Sequence, residues 1–324
     1  MLDKSTKIYI AGHQGLVGSA LVTELAEKGY QHLILRTRAE CDLLNVDHVA
    51  TLFQTEKPDV VFLAAAKVGG ILANHQFPAD FIYQNLQIEL NVIHQAFLNG
   101  VKRLVFLGSS CIYPKFCPQP MQEAHLLSGD LEPTNRPYAI AKIAGIELCW
   151  SYNRQYQTQY LAVMPTNLFG PHDNYDLHTS HVIPALIRKI DAAKRTHSQQ
   201  VTLWGTGAPR REFLYSPDLA AACVHLMELS DAKLHSVVLN TPDQPPLINV
   251  GYGSDVTILE LAQLLADIIG FTGKFVFDTT LPDGTPQKLL DCRKIHTLGW
   301  KPRYDLRAAL TKTYANFCEM HCVT

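Results

Sequence analysis

The feature that most constrains the fold lies near the N-terminus, where an apolar segment runs directly into closely spaced glycines. Lys7–Ala11 has the pattern of a buried strand, Gly12, Gly15 and Gly18 follow as G-x-x-G-x-x-G, and a helical pattern extends to Lys28. Such glycines allow a tight turn, a close approach of backbone to a pyrophosphate, and close packing of helix on strand. Helix N-terminal amides would face the phosphates. The segment predicts a dinucleotide-binding unit, with an ordinary glycine turn as the alternative.

Apolar strands and helical segments continue to alternate along the first half of the chain. Four further segments have buried-strand patterns: His32–Leu35, Asp59–Ala66, Arg103–Leu107 and Tyr160–Met164. Helical patterns lie between strands and no hairpin signals appear, which predicts an α/β fold with a parallel, doubly wound sheet. Beyond residue 170 the loops lengthen and the regular alternation stops. We therefore expect a dinucleotide-binding domain over 1–170, to which later segments return, and a smaller, mainly substrate-binding α/β domain over 171–324.

Composition excludes several classes of protein. The net charge of -2 and the absence of a basic run argue against nucleic-acid binding. No apolar stretch approaches the roughly 20 residues of a membrane span, and no signal-peptide core is present, so we expect a soluble cytoplasmic protein. The eight cysteines show no C-x-x-C spacing, and we expect reduced thiols. Three histidines and two aspartates within 171–181 match no zinc motif, so no metal is expected.

Chemically useful side chains follow the strand Arg103–Leu107. Gly108-Ser109-Ser110-Cys111 should lie at its carboxyl end, where open α/β sheets bind ligands. Tyr138 and Lys142 follow, one turn apart on a helix that Pro137 can begin. We expect the Lys142 ammonium to lower the pKa of the Tyr138 phenol from roughly 10, which suits a general acid/base. Taken alone, this pair could also be a chance feature of an amphipathic helix.

The segment after the second strand suggests which dinucleotide is bound. Arg36 and Arg38 occupy the region where an NAD site carries an acid for the ribose 2′-hydroxyl. Guanidinium groups recognise phosphate through two hydrogen bonds, so this pair favours NADP(H), with a solvated basic loop as the alternative. Asp42 and Leu43 could close over the adenine. Small residues at the end of the third strand would let backbone lie close to the cofactor.

The order of these motifs resembles the extended, nucleotide-sugar-modifying branch of the short-chain dehydrogenase/reductase superfamily, whose fold is a Rossmann sheet. Within that branch the chain resembles the GDP-L-fucose synthase family from about Lys7 to Trp300. The resemblance is carried by AAAKVGGI (64–71), FIYQN (81–85), GSSCIYP (108–114), EPTNRPYAIAKIAGI (132–146), MPTNLFGPHDN (164–174), SHVIPALIRK (180–189), REFLY (211–215) and PDGTPQKLLD (282–291).

This resemblance implies an enzyme that acts on GDP-4-keto-6-deoxy-D-mannose, inverting C3 and C5 and then reducing the C4 ketone with NADPH to give GDP-L-fucose. Cys111 and His181 would be the two acid/base groups of the epimerisation, with cysteine as the base and histidine as the acid. Thiol and imidazole titrate near neutrality, which suits reversible proton transfer. Tyr138 would protonate the C4 oxygen, Ser109 would hydrogen-bond it, and Lys142 would hold the nicotinamide ribose. Without the resemblance, Cys111 would be interpreted as a buried packing residue.

The resemblance also implies the binding residues. The NADP(H) site would comprise Gly12, Gln14, Gly15, Leu16, Val17, Gly18, Arg36, Arg38, Asp42, Leu43, Ala64, Ala65, Leu107, Gly108, Ser110, Lys142, Pro165, Thr166, Asn167, Leu168 and His181. The GDP-sugar site would comprise Lys189, Trp204, Arg211, Asp283 and Lys288. The family is usually dimeric, so a homodimer through the Pro78 and Tyr138 helices is expected.

Two positions depart from the family pattern. Gln14 and Lys189 both stand where the family commonly has arginine. Lysine keeps the charge but loses the bidentate fork, whereas Gln14 removes a charge near the 2′-phosphate. We therefore expect a weaker preference for NADPH over NADH than is usual.

Three alternatives remain open. A nucleotide-sugar 4-epimerase retains NAD, which Arg36 and Arg38 argue against. A 4,6-dehydratase would have an acidic pair beside its serine, where this chain has Cys111. An inactive dinucleotide-binding scaffold would need a pocket but no proton donor, so the set of Ser109, Tyr138 and Lys142 weighs against it.

Overall fold

The fold is described from a computed structural model, which covers residues 2–177, 179–239, 243–281 and 283–321. The first half contains β1 (Ile8–Ala11), α1 (Leu16–Glu27), β2 (Leu33–Ile34), α2 (Val46–Glu56), β3 (Val60–Leu63), α3 (Ile71–Gln76), α4 (Pro78–Leu98), β4 (Arg103–Leu107), α5 (Arg136–Tyr156), β5 (Gln159–Pro165) and β6 (Asn167–Phe169). The second half contains α6 (Val182–Arg195), β7 (Gln200–Trp204), β8 (Arg210–Tyr215), α7 (Ser216–Glu228), α8 (Asp231–Leu234), β9 (Leu247–Val250), β10 (Asp255–Thr257), α9 (Ile258–Ile269), β11 (Lys274–Asp278), β12 (Gln287–Lys288), α10 (Arg293–Thr297) and α11 (Leu306–His321).

A six-stranded parallel sheet forms the centre of the molecule, in the order β2-β1-β3-β4-β5-β9. Its strands are nearly continuous apolar runs because helices cover both faces, and β1, β3 and β4 are buried throughout. The chain moves to one side of β1 with β2 and to the other with β3, which creates the switch point where such sheets bind ligands. The predicted doubly wound parallel sheet is confirmed.

A second hydrophobic core lies beyond residue 170 and is built mainly by α6, α9 and α11. It includes Ile187, Leu265 and Leu310, all fully buried. The capping box of Thr257 and Glu260 begins α9 as the sequence predicts, with both reciprocal hydrogen bonds formed. Short strands complete this region: β8 pairs with β6, β10 and β12, and β7 pairs with β11.

Later segments also return to the first core. β9 pairs with β5 at the edge of the large sheet, and the buried face of α7 joins the core around it. The interpretation of the second core as a substrate domain stays a prediction. Within the described ranges, no helix combines the length and apolar character needed to cross a membrane. The same residues contain no group of three or more histidine, cysteine or acidic side chains placed to hold a metal; His178 of the 171–181 segment lies outside them.

Candidate active site

The glycine turn between β1 and α1 forms a backbone cradle, which side chains in place of its glycines would fill. Gly12 has φ +84°, and a Cβ there would come within 2.8 Å of the Ala65 backbone. A Cβ at Gly18 would overlap the carbonyl oxygen of Gly12. The first turn of α1 therefore packs directly against the end of β1, and its amides face the adjoining cleft. This geometry fits a dinucleotide pyrophosphate.

The cradle opens into a cleft of about 680 Å³ along the carboxyl ends of β1, β3, β4 and β5. Every residue predicted for the NADP(H) site lines it, from the glycine turn through Ala64 and Ala65 to Pro165–Leu168 and His181. Ser109 and Tyr138 also line it. The cleft thus brings together residues from segments spread over the first 181 positions. The contacts of these residues with a cofactor stay a prediction.

The two arginines after β2 have different surroundings. Arg36 is engaged within the protein, because its guanidinium pairs with Glu56 and also donates to the Leu35 carbonyl at 2.8 Å. The Arg38 side chain is 77% exposed and has only a long contact, 3.8 Å, to Asp42. Arg38 is therefore the better placed of the two to bind a 2′-phosphate, while Gln14 on the same cleft adds no charge.

The serine, cysteine and tyrosine meet beyond the end of β4. Ser109 caps the short turn 110–112, and its Oγ accepts a hydrogen bond from the Cys111 amide at 3.4 Å. Tyr138 lies on the first turn of α5, and its ring packs edge-on against Phe81 with centroids 6.3 Å apart. Ser109 interacts with both the Tyr138 phenol and the Cys111 thiol. One hydroxyl therefore lies between the two predicted catalytic groups.

The prediction that Lys142 lowers the pKa of Tyr138 is wrong for this structure. Burial raises the pKa of Tyr138 well above its ordinary value, and the nearby Cys111 and Glu89 raise it further, while Ser109 opposes them. Lys142 lies one turn along α5 as expected, with Nζ 5.7 Å from the Tyr138 ring centroid. However, its ammonium pairs with Glu89 on α4, 3.1 Å away. The carboxylate offsets the positive charge that the phenol was expected to feel.

Cys111 and His181 line different cavities, since His181 lines the main cleft and Cys111 does not. Burial raises the pKa of the Cys111 thiol, although Ser109, Lys288 and Lys142 oppose the shift. Burial lowers the pKa of His181, which precedes α6. At neutral pH the thiol is therefore protonated and the imidazole is neutral. Cys111 faces a small cavity beside the main cleft, which it shares with Ser110 and Lys288.

The residues predicted for the GDP-sugar site form two neighbouring groups outside the main cleft. Lys189 Nζ lies 5.3 Å from the ring centroid of Trp204, which is 59% exposed. Asp283 accepts hydrogen bonds from the amide and hydroxyl of Thr206, and it also interacts with Arg211. Lys288 on β12 lies opposite Arg211 on β8. Lys288 therefore brings a positive charge beside Cys111, with Arg211 on the neighbouring strand, and the role of these groups in binding GDP stays a prediction.

Two carboxyl groups with raised pKa values were missed by the sequence reasoning. Glu89 faces Lys142, and burial raises the pKa of Asp173 on the cleft wall to about 7. The helical spacing of α4 could have revealed Glu89. It places Glu89 on the same buried stripe as Phe81, Asn85 and Val92. Asp173 carried no such signal, because it belongs to an irregular polar loop.

Comparisons with known proteins agree with this geometry. Residues 8–241 match the NAD dependent epimerase/dehydratase family. A GDP-L-fucose synthase from Escherichia coli (strain K12) is 55% identical, over 97% of each chain. The solved structure of a GDP-D-glycero-L-gluco-heptose synthase from Campylobacter jejuni in the presence of NADPH has a TM-score of 0.90 at 39% identity, covering 98% of this chain and 99% of that one. A GDP-L-fucose synthetase from Naegleria fowleri bound to NADP has a TM-score of 0.87 at 26% identity, covering 100% and 97%.

Proposed function

Because the chain belongs to the NAD dependent epimerase/dehydratase family, we propose that it converts GDP-4-keto-6-deoxy-D-mannose to GDP-L-fucose. The reaction comprises inversion at C3 and C5 followed by NADPH-dependent reduction at C4. The observation that carries this proposal is the 55% identity to a GDP-L-fucose synthase over 97% of each chain. The cleft at the switch point and the cysteine beside the serine and tyrosine support it.

In the proposed reduction, Tyr138 donates a proton to the C4 oxygen. The raised pKa of this phenol keeps the proton on it at neutral pH, so the donor is ready before turnover. Ser109 hydrogen-bonds the same oxygen, and Lys142 holds the nicotinamide ribose. When bound, NADPH supplies the hydride that reduces C4. The glycine cradle and Arg38 would hold its phosphates.

In the proposed epimerisation, Cys111 and His181 move the protons at C3 and C5. The C4 ketone acidifies both positions, and inversion requires removal of a proton on one face and its return on the other. Negative charge then develops on the C4 oxygen, which Ser109 and Tyr138 stabilise. One oxygen site therefore serves both half-reactions. Cys111 acts as the base only as thiolate, which burial makes a minor form at neutral pH.

The cationic groups around β8 are proposed to bind the GDP portion of the substrate. Burial lowers the pKa values of Arg211, Lys189 and Lys288, which indicates that their charges lie in partly dehydrated surroundings. An anion bound there would compensate these charges. Exposed Trp204 offers a flat surface beside Lys189.

A homodimer through α4 and α5 is also proposed. Tyr83, Leu90 and Leu98 on α4 and Tyr156 on α5 are all at least 46% exposed. Phe97 stacks on Tyr156 with centroids 4.2 Å apart, which extends an aromatic surface across both helices. Two copies of this helix pair would bury these side chains in a four-helix bundle. A cytoplasmic location stays a prediction.

The test is incubation of the purified protein with GDP-4-keto-6-deoxy-D-mannose and NADPH, followed by NMR analysis of the product. We expect NADPH to be consumed and the sugar to have the L-fucose configuration. A reduced product with unchanged C3 and C5 would indicate a simple C4 reductase. No consumption of NADPH would refute the proposed function.

A further inference from the structure

A buried ion pair lies behind the catalytic tyrosine. Lys142 Nζ is 3.1 Å from Glu89 Oε1, and the two side chains are only 2% and 1% exposed. The ammonium also lies over the ring of Phe106, 4.7 Å from its centroid. In the described part of the chain, no other donor hydrogen-bonds to either carboxyl oxygen. The Lys142 ammonium and the Glu89 carboxylate therefore each neutralise most of the other's buried charge.

The surrounding packing leaves room for this carboxyl group. Gly145 lies on α5 near Lys142, and a Cβ there would overlap the Phe106 ring and come within 2.9 Å of Glu89 Oε2. The missing side chain thus allows α4 and α5 to approach with the glutamate between them. Glu89 itself belongs to the buried stripe of α4, where most neighbours are apolar. Its carboxyl group cannot turn toward solvent from this position.

Among the residues that the structure describes, the titratable groups that interact with Glu89 are all on α5. They are Lys142, Tyr138 and the Cys149 thiol. α2 and β3, which also pack around α4, contribute buried apolar residues. Burial raises the pKa of Glu89 to about 7 against the opposing effect of Lys142. A buried ammonium without such a partner would be strongly disfavoured.

We propose that Glu89 is a positioning residue for the C4 reduction described above. Its carboxylate keeps the Lys142 ammonium charged and oriented toward the ribose and the phenol. It also limits the effect of that ammonium on Tyr138, so that the phenol keeps its proton until the ketone is reduced. The kinetic consequences of this inference rest on the proposed function. The effect of Glu89 on the charge of Lys142 does not depend on it.

The kinetic test is Glu89→Gln, which keeps the shape of the side chain and removes the charge. The unpaired ammonium loses its proton at lower pH, and while it remains charged it favours phenolate at Tyr138 more strongly. Both effects move the alkaline limb of kcat for ketone reduction to lower pH. We expect a shift of about one pH unit or more, which on the alkaline limb lowers kcat at a given pH by at least about tenfold, or ~1.4 kcal/mol. Near pH 6 the variant should approach the wild type.

The matched control is Glu24→Gln. Glu24 is also a buried glutamate, paired with Arg303 at 3.0 Å, but it lies in the second half of α1 and outside the cleft. Its loss should leave the shape of the pH profile unchanged. Glu89→Asp keeps the charge on a shorter side chain and should give a smaller shift in the same direction. If Glu89→Gln fails to fold, the pH profile of Glu89→Asp tests the proposal instead.

A second measurement needs no cofactor or substrate. In protein with 13C-labelled lysine, the Lys142 NMR signal can be assigned by its absence in Lys142→Met. We expect this signal to titrate at lower pH in Glu89→Gln than in wild type. A kcat profile lowered equally at all pH values, with an unmoved lysine titration, would overturn the proposal. Wild-type protein that consumes no NADPH would instead refute the proposed function and leave the NMR result to decide the role of Glu89.

Discussion

Replacement of Cys111 by alanine should separate the two half-reactions. A positioned acid or base contributes about 10² to 10⁴ in rate. Exchange of the C3 and C5 protons should therefore slow by that factor, or ~2.7 to 5.4 kcal/mol. Reduction should persist, because the substitution leaves in place the two groups proposed to act on the C4 oxygen, Tyr138 and Ser109. Cys111 is buried, and loss of its sulfur should cost on the order of 1 kcal/mol of folding stability, which the protein should tolerate.

The assay follows deuterium incorporation in D2O without NADPH, so that epimerisation is measured alone. A second incubation with NADPH then gives the configuration of the reduced sugar. Cys117→Ala is the matched control, since Cys117 is also a buried thiol and contacts His125 at 3.1 Å outside both cavities of the site. Unchanged deuterium incorporation in Cys111→Ala would refute the assignment.

The pH dependence of this exchange tests the base more directly. Burial raises the pKa of Cys111, so at pH 7.5 less than about a tenth is thiolate, given an ordinary value near 8.5. If the thiolate is the base and removal of the carbon-bound proton limits the rate, exchange in the wild type rises about tenfold per pH unit below that pKa. Exchange that falls with pH would contradict this reasoning, because the neutral imidazole of His181 would then be the base and the thiol the acid.

Three further predictions concern the cofactor cleft and the surface of α4. Wild-type protein should use NADH measurably, with kcat/KM for NADPH less than about a thousandfold higher (~4 kcal/mol), and Gln14→Arg should widen that ratio. Gly18→Ala should abolish NADPH binding in fluorescence titrations, because the new Cβ overlaps the Gly12 carbonyl. Leu90→Glu should give a monomer by light scattering, since it puts charge on the exposed face of α4, whereas Val46→Glu on α2 should not.

Most of the fold could be predicted from the sequence because its signals are local. Buried parallel strands are continuous apolar runs, and the glycine spacing marks the first crossover. The strands β6 to β12, which include β9 of the large sheet, were not predicted, because they are short and depend on pairing between distant segments. Much of the outline of the cleft was predictable for the same local reason, since many of its lining residues directly follow a strand.

The electrostatics of the site could not be predicted, because they depend on contacts between helices. The Tyr138–Lys142 spacing indicates a lowered tyrosine pKa only when the lysine has no closer partner. Glu89 is that partner, and it lies on α4, separated from Lys142 by all of β4 and the cysteine loop. A glutamate on a helix is ordinarily expected to be exposed. The predicted direction of the Tyr138 pKa shift was therefore wrong, while the catalytic roles of Tyr138 and Lys142 stay a prediction.

The structure couples the ionisation of Cys111 to that of Tyr138. A thiolate at Cys111 raises the pKa of the phenol, since two negative charges in one buried site repel each other. The state in which Cys111 can remove a carbon-bound proton is thus also the state in which Tyr138 holds its own proton most firmly. That proton can stabilise the charge on the C4 oxygen during epimerisation and remains available for reduction. In the proposed reaction, inversion can therefore precede reduction without depleting the proton donor that reduction needs.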